Sequence, residues 1–372
     1  MKKTVKFLAA VMAVSVSILS FASCKEKVKD YEPWTDSLES AKKEAAEKDK
    51  MVLLFFSGDD WDGQKSVNFK AQCIETDTFL AQAGEKYALC ELNYSKERYD
   101  LLNNVRKDPK SATKEEKKEA KLIEKEYQVK DTLNVTYNRR NTFPSIYIMT
   151  PEGYSIASIW YDENVYKTPE DILQALELTE IRQSQVKSLL NTISSSSGLE
   201  KAEAIDELYQ STPIELRNTL NPFLYEFLEA DKDNETGKLG DYEWEIAYNE
   251  SSELRFQKGD VKAAVERLID PKKTKHYSPD NYQLAYYQYA YINASAGTAS
   301  NEEILEYLNK SLEANPESEN SGTIRQAIGF VQLQIDAEKK QAADAEEAKA
   351  SEETETKVPE EVSESSDKEV KE

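Results

Sequence analysis

The stretch LLFFSGDDWDGQKSVNF, residues 53–69, combines the local signals that decide the fold of the first half of the chain. An apolar run at residues 51–56 is bounded by Gly58, which is typical of a strand covered on both faces of a sheet. The segment GDDW then favours a turn, and the pattern of residues 65–79 predicts a helix. The sequence therefore predicts a strand–turn–helix unit with Trp61 in its turn.

Patterns on either side of this unit predict an α/β domain. A surface helix is expected at residues 37–50, and further strands are expected at residues 87–92, 145–150 and 155–161. A charged helical segment interrupted by Pro109 is expected at residues 96–130, and a final helix that starts at Thr168 is expected at residues 168–190. The order of these elements along the chain indicates a mixed sheet with helices on its faces.

Composition and charge argue against several function classes. The chain has 372 residues with 48 Lys and Arg against 70 Asp and Glu, a formal net charge of -22. Nucleic acids and anionic lipid surfaces attract basic faces, so we predict no nucleic-acid partner and no simple electrostatic docking on lipid. A single histidine, His276, excludes a metal site with several histidines.

The acidic turn itself invites a metal-site interpretation. Asp59, Asp60 and Asp62 place three carboxylates over four residues, and hard cations prefer oxygen ligands. No further matched ligands follow in the sequence, and acid-rich turns are common before helices. We therefore predict no metal and no cofactor.

The first residues predict export from the cytoplasm. Three lysines among the first six residues precede an apolar stretch at residues 8–21, which is too short for a comfortable transmembrane helix. Small residues before Cys24 resemble a bacterial lipobox. We predict a signal peptide at residues 1–23, lipidation of Cys24 and a linker at residues 24–33, with the mature protein held on a membrane of the bacterial cell envelope. Ordinary cleavage, giving a secreted soluble product, is the alternative.

Residues of roughly 31–180 resemble the thioredoxin-fold domains of secreted and lipoprotein thioredoxin-like proteins. Trp34 with the helix after it, the strand and turn MVLLFFSGDDW and the strand YALCELNY occur in that family's order, and TFPSIYIMTPEG supplies a second anchor. The resemblance implies a thioredoxin-like domain at residues 34–180, with charged residues 96–130 as an insertion. It also implies a cis peptide bond between Phe143 and Pro144, beside the active-site turn.

The resemblance also implies a vestigial redox turn, whose members are Trp61, Asp62, Gly63, Gln64 and Lys65. The family's two thiols fall at about Asp62 and Lys65, and neither a carboxylate nor an amine exchanges with a disulfide. We therefore predict that the protein is not an enzyme. The alternative is a thiol-disulfide oxidoreductase, or another thioredoxin-fold enzyme, that uses an atypical site.

Two cysteines, Cys73 and Cys90, lie beyond the predicted signal peptide. Their separation and settings do not form a redox motif, because one falls in a helix-like run and the other in an apolar strand-like run. We interpret both as buried structural thiols, while a disulfide between them is the alternative in an oxidising compartment.

The second half is helical in pattern and resembles degenerate tetratricopeptide repeats over residues 181–336. In one unit, Gly297 stands in the turn between two helices and Pro316 follows the second helix. In an earlier unit, Gly259 and Pro271 take the same two places. Such paired helices bury their apolar stripes by stacking on neighbours. An irregular bundle is the alternative. Residues 337–372 predict an acidic low-complexity tail, disordered from residue 351 although its first part can extend the last helix.

The run NYQLAYYQYAYI places Tyr282, Tyr286 and Tyr289 at helical spacing. Packing between repeat helices is one interpretation, and an aromatic-lined groove for a partner peptide is the other. Together these features favour a non-catalytic scaffold or chaperone-like module for an envelope protein or an unfolded client. In the thioredoxin-like family, backbone beside the residue equivalent to Pro144 pairs with an extended peptide, and this interaction needs no thiol.

Overall fold

A computed structural model describes residues 33–58, 61 and 63–355, with side chains through residue 346. The predicted signal peptide, Cys24, the linker up to residue 32 and the last residues of the tail, 356–372, lie outside the described residues. Asp59, Asp60 and Asp62 lie outside them as well.

Five strands near the N-terminus form one mixed sheet of order β1-β3-β2-β4-β5. They are β1 Trp34–Thr35, β2 Met51–Ser57, β3 Tyr87–Asn93, β4 Ser145–Met149 and β5 Ser155–Trp160. β2 runs parallel to β3 and antiparallel to β4, and Leu54 lies opposite Cys90 on one side and Tyr147 on the other. β1 is a strand that the sequence pattern does not predict, since two residues are too few for a periodic signal.

The core of the sheet surrounds β2, as its continuous apolar run predicts. Residues 52–56 are fully buried. The Phe55 ring packs 6.0 Å from Trp34 and 5.8 Å from Phe69, while the Phe56 ring packs 5.7 Å from Tyr147. Neighbouring side chains of a strand point to opposite faces, so the two phenylalanines fill the layers on both sides of the sheet.

The helices of this region lie between the strands and after them along the chain. They are α1 Leu38–Lys48, α2 Lys65–Phe69, a π-helical segment Lys70–Ile74, α3 Asp77–Lys86, α4 Lys96–Lys107, α5 Lys114–Tyr137 and α6 Pro169–Glu177. The continuous helix predicted at residues 65–79 is therefore wrong. The Thr76 hydroxyl donates to the Cys73 carbonyl and accepts from the Phe79 N–H, so it ends one helix and caps the next.

The charged segment forms a helix pair, with the break near Pro109 that the sequence predicts. Its apolar contacts centre on Leu102 of α4 and on Ala120, Ile123 and Tyr127 of α5. The two helices are also linked by exposed ion pairs such as Arg106 with Glu124, at 2.9 Å.

The region after α6 is largely helical. Its elements are α7 Glu180–Ser195, α8 Gly198–Ser211, a 3₁₀ segment Ile214–Leu220, α9 Asn221–Ala230, α10 Leu239–Phe256, α11 Val261–Leu268, α12 Pro279–Ala296, α13 Asn301–Ala314 and α14 Ser321–Glu355. Gly259 and Gly297 turn the chain between helices with φ of 68° and 64°, a conformation that glycine adopts without steric cost. α14 continues to residue 355, so residues 351–355 are helical where the sequence predicts disorder. Three of these five residues are Glu, which favours helix, and they follow directly on an Ala-, Glu- and Lys-rich helical stretch.

The chain divides into two compact units. The first comprises the described chain up to Thr132 together with Thr142–Gly153 and Ser158–Ala175. The second comprises Leu133–Asn141, Tyr154–Ala157 and the described chain from Leu176. The second unit thus includes the end of α5 with the residues that follow it, and a short piece at the start of β5.

Candidate functional site

The turn after β2 is held at both ends by hydrogen bonds. The Trp61 N–H donates to the Gly58 carbonyl at 2.6 Å, and the Gly58 N–H donates to the Ser66 hydroxyl at 2.9 Å. Because Ser66 is buried at the start of α2, this second bond ties the end of the strand to the beginning of the helix. The two bonds therefore connect Gly58 to Trp61 and to the start of α2.

The described members of the predicted redox turn provide no group for thiol exchange. Trp61 is 49% exposed, and Gly63 and Gln64 have φ of 67° and 74°. Lys65 is the exposed first residue of α2. Asp62, the other position where the resemblance places a thiol, lies outside the described residues.

An aromatic corner surrounds this turn, consisting of Trp61, Tyr94, Tyr99, Tyr127 and Phe143. The Trp61 ring contacts Tyr99 at 4.9 Å between centroids, and Tyr99 lies 6.4 Å from Tyr127. Tyr127 lies 5.7 Å from Tyr94, which in turn lies 5.4 Å from Phe143. The corner thus forms a continuous row of rings from an exposed indole toward the buried sheet.

The peptide bond between Phe143 and Pro144 is cis, the geometry that the resemblance implies. The Phe143 Cβ lies 3.6 Å from the place where a Cβ on Gly58 would stand. The Phe143 ring also meets Phe56 of β2 edge-on at 6.5 Å. The structure therefore brings the predicted proline loop and the predicted turn together.

Sequence reasoning missed the three tyrosines of the corner. Tyr99 and Tyr127 belong to the helices of the charged segment, and their hydroxyl and ring contacts join that segment to the sheet. The Tyr127 hydroxyl donates to the Ser95 carbonyl at 2.7 Å, just before α4. Large aromatic residues within an otherwise charged segment are a sequence signal for such a contact.

Both described cysteines are fully buried free thiols, so the alternative of a disulfide between Cys73 and Cys90 is wrong. Burial, with a smaller contribution from the negative charge of Asp171, raises the pKa of Cys73 to about 11. Burial also raises the pKa of Cys90 above its ordinary range, with Asp36 adding to the effect. Thiol exchange requires an accessible thiolate, and neither cysteine provides one in the folded protein.

The tyrosines at positions 282, 286 and 289 fit both interpretations of this run, which are packing between helices and a groove open to a partner. Tyr282 and Tyr289 pack against the buried cluster shared by α10, α11 and α12. Tyr286 lies 6.0 Å from Tyr282 and 6.0 Å from Tyr307, while Tyr289 stacks on Tyr307 at 3.7 Å. The three predicted residues remain only partly buried, so they contribute to helix packing and also face solvent.

A cleft of about 250 Å³ opens beside Tyr289, among α11, α12 and α13. The residues that line it are Lys262, Val265, Glu266, Tyr289, Asn293, Thr298 and Glu303. The Tyr289 hydroxyl donates to the Glu303 carboxylate at 3.2 Å. Sequence reasoning identified Tyr289 here but not its acidic neighbours.

The described residues contain no group of three or more His, Cys, Asp or Glu side chains placed to hold a metal ion. Among the same residues, each helix is too short or too polar to cross a bilayer.

Comparisons with known proteins extend over parts of the chain. A family model described as an uncharacterised protein C-terminal domain matches residues 239–339, a range that holds α10 to α13 and the first half of α14. A Treponema pallidum (strain Nichols) protein, described as uncharacterized, is 24% identical over 159 residues. That match covers 43% of this chain and 52% of the relative, so the chain spans about half the length of the curated relative.

A solved structure of a DsbH oxidoreductase is similar to part of the chain. It has 18% sequence identity and a TM-score of 0.24, and the match covers 37% of this chain and 84% of that one.

Proposed function

We propose that the chain is a non-catalytic, protein-binding lipoprotein of a bacterial cell envelope, anchored to a membrane through a lipid on Cys24. In this proposal the first unit is a thioredoxin-like domain without redox thiols, and the second is a tetratricopeptide-like stack of helices. Its partner is an envelope protein or an unfolded client, toward which it acts as a scaffold or chaperone-like module.

The observation that carries the proposal is the exposed end of the aromatic corner. Trp61 and Tyr99 are 49% and 37% exposed and lie in contact at the turn after β2. Tryptophan and tyrosine supply large contact areas at protein interfaces and are enriched among the residues that dominate binding energy. A pair of such rings on a turn fixed by hydrogen bonds favours a binding surface.

The state of the thiols supports a non-catalytic role. Cys73 and Cys90 are buried, with pKa values raised by that burial, and Lys65 occupies one of the expected sulfur positions. A pre-formed turn without an attacking sulfur is suited to docking, and it cannot carry out disulfide exchange.

Crosslinking in native envelope membranes tests the proposal. The full chain, a Trp61→Ala/Tyr99→Ala variant and a Tyr291→Ala control are compared, since Tyr291 is 54% exposed but lies on α12. We expect a discrete partner that the native chain and the control capture equally and that the double variant loses. Equal capture by all three chains would contradict the assignment of the corner.

The enzyme alternative has its own assay. We expect insulin reduction by the purified chain to stay at the background rate. Turnover that disappears in Cys73→Ser would instead support an oxidoreductase that uses an atypical thiol.

A further inference from the structure

The cleft beside Tyr289 is lined by apolar and acidic side chains. Val265 is buried, and Glu266 and Glu303 contribute carboxylates from α11 and α13. Asn293 is held in place by hydrogen bonds to the Tyr289 carbonyl at 3.1 Å and from the Thr298 hydroxyl at 2.8 Å. These bonds fix the polar end of the cleft, which is large enough for one long side chain.

The Glu303 side chain bonds to Tyr289 in this cleft and not to the backbone at the start of its own helix. The spacing of Ser300 and Glu303 fits a capping box, in which both side chains bond to backbone N–H groups at the helix start. The Ser300 hydroxyl accepts from the Glu303 N–H at 3.2 Å, whereas the Glu303 carboxylate accepts from the Tyr289 hydroxyl. By contrast, Ser278 and Asn281 complete both bonds of the box at the start of α12.

The Glu303 carboxylate has no ion-pair partner among the described residues. Within the part of the chain that the structure describes, Glu303 forms no ion pair with a lysine or arginine. Lys262 pairs with Glu266 at 3.9 Å, with side chains 84% and 61% exposed. Pairs this exposed contribute little to stability, so Lys262 is readily displaced from Glu266.

The Glu303 carboxylate is the acceptor that the cleft offers, and Tyr289 holds it in place. Burial raises the pKa of the Tyr289 hydroxyl, and the hydrogen bond with Tyr307 and the neighbouring Glu303 add to this shift. The hydroxyl therefore stays protonated and donates its one proton to Glu303, so in the bond with Tyr307 the Tyr289 oxygen is the acceptor. The two oxygens of the Glu303 carboxylate match the forked donors of a guanidinium group.

We propose that this cleft binds an arginine side chain of the partner polypeptide, with the guanidinium group on the Glu303 carboxylate and the aliphatic stem over Val265. The inference rests on the protein-binding function proposed above and adds the chemistry of the partner. Charge complementarity selects the occupant, since a cationic side chain supplies the counter-charge for Glu303. The planar fork of arginine matches the two carboxylate oxygens of Glu303, whereas a lysine ammonium offers a single compact charge.

A peptide titration of the full chain tests this inference. The probe is a blocked pentapeptide with one central arginine between alanines, and its control carries citrulline, the neutral isostere, in the same position. Binding is followed through the backbone amide signals of Thr298 and Glu303 in a transverse-relaxation-optimised NMR spectrum. We expect the arginine peptide to shift both signals saturably at millimolar concentrations and the citrulline peptide to bind at least about tenfold more weakly.

Two charge-matched variants separate the site from general attraction to an acidic protein. Glu303→Gln and Glu302→Gln remove the same charge from the same helical turn. We expect Glu303→Gln to weaken binding of the arginine peptide at least about tenfold and Glu302→Gln to change it less than about twofold. Equal effects of the two variants, equal binding of the citrulline peptide, or no saturable shift with the arginine peptide would each overturn the inference.

Failure of this inference is distinguishable from failure of the proposed function. Partner capture that depends on Trp61 and Tyr99 while the arginine peptide fails to bind would leave the function in place and remove the cleft from it. Saturable arginine binding without partner capture in membranes would support the cleft and contradict the scaffold role.

Discussion

The indole ring of Trp61 lies edge-on against the phenol ring of Tyr99, with centroids 4.9 Å apart and planes inclined at 72°. Trp61 belongs to the turn after β2, and Tyr99 belongs to α4 of the charged segment. The contact therefore joins a feature of the sheet to a segment that the resemblance treats as an insertion.

A double-mutant cycle on this pair measures its strength. We expect Trp61→Ala and Tyr99→Ala to show a coupling energy of about 0.5–1.5 kcal/mol in urea unfolding, as edge-to-face aromatic pairs do. Tyr99→Phe keeps the ring and serves as the control, with a change within about 0.5 kcal/mol. Independent, additive effects of the two alanine substitutions would show that the contact does not order the turn.

Thiol accessibility provides a second prediction. In a Cys24→Ser chain, we expect neither Cys73 nor Cys90 to react with a disulfide reagent under native, slightly alkaline conditions, because both are buried and protonated. Both should react once guanidinium unfolds the chain, which is the internal control. Fast native labelling of either cysteine would reopen the enzyme alternative.

Stability should decrease in alkaline solution. The pKa of Cys73 rises from 9.0 to about 11 on folding, so over this interval the folded state binds more protons than the unfolded state. Stability from this group is therefore fully present below pH 9 and is lost as the pH rises toward about 11. Burial raises the pKa of Tyr127 from 10.0 to about 12, so this residue extends the loss of stability to higher pH.

Urea midpoints measured across this alkaline range check the sign of the effect. We expect the urea midpoint of the Cys73→Ala variant to fall less steeply with rising pH, since the substitution removes one of the groups that the unfolded state ionises first. A midpoint that stays constant from neutral pH to about pH 11 would contradict the burial of these groups in solution.

A pair of glycines tests the packing of the second unit. A Cβ on Gly240 would lie 2.1 Å from the backbone oxygen of His276, so Gly240→Ala should destabilise the protein by about 2–3 kcal/mol. Gly329 lies within α14, where a Cβ meets open space, and Gly329→Ala should stabilise it by about 0.5–1 kcal/mol. Thermal unfolding compares the two, and a Gly240→Ala variant as stable as the native chain, or more stable, would show that the loop carrying His276 does not approach α10.

Local patterns in the sequence predict those parts of the fold that depend on local chemistry. The apolar run of β2, the turn glycines Gly259 and Gly297 and the interruption near Pro109 all reflect preferences of a few neighbouring residues. Such preferences also mislead. The amphipathic pattern of residues 65–79 predicts one helix, but the two hydrogen bonds of the Thr76 hydroxyl divide it.

The candidate sites were less accessible to sequence reasoning because their members are distant along the chain. Tyr99 and Trp61 are separated by a strand and several helices, and no periodic pattern relates them. Glu303 has a local interpretation as a capping residue, which its bond to Tyr289 replaces only after α12 and α13 have packed. Side-chain pairs of this kind depend on tertiary packing.

Partner capture by a thiol-free chain tests the central claim most directly. The chain carrying Cys73→Ala and Cys90→Ala, with Cys24 retained, is expressed in its native membrane and crosslinked beside the native chain and the Trp61→Ala/Tyr99→Ala variant. Binding without thiol chemistry predicts that the thiol-free chain captures the same partner with a yield within about twofold of native, while the aromatic variant loses at least about tenfold. Loss of the partner from a folded thiol-free chain, with capture retained by the aromatic variant, would contradict the account.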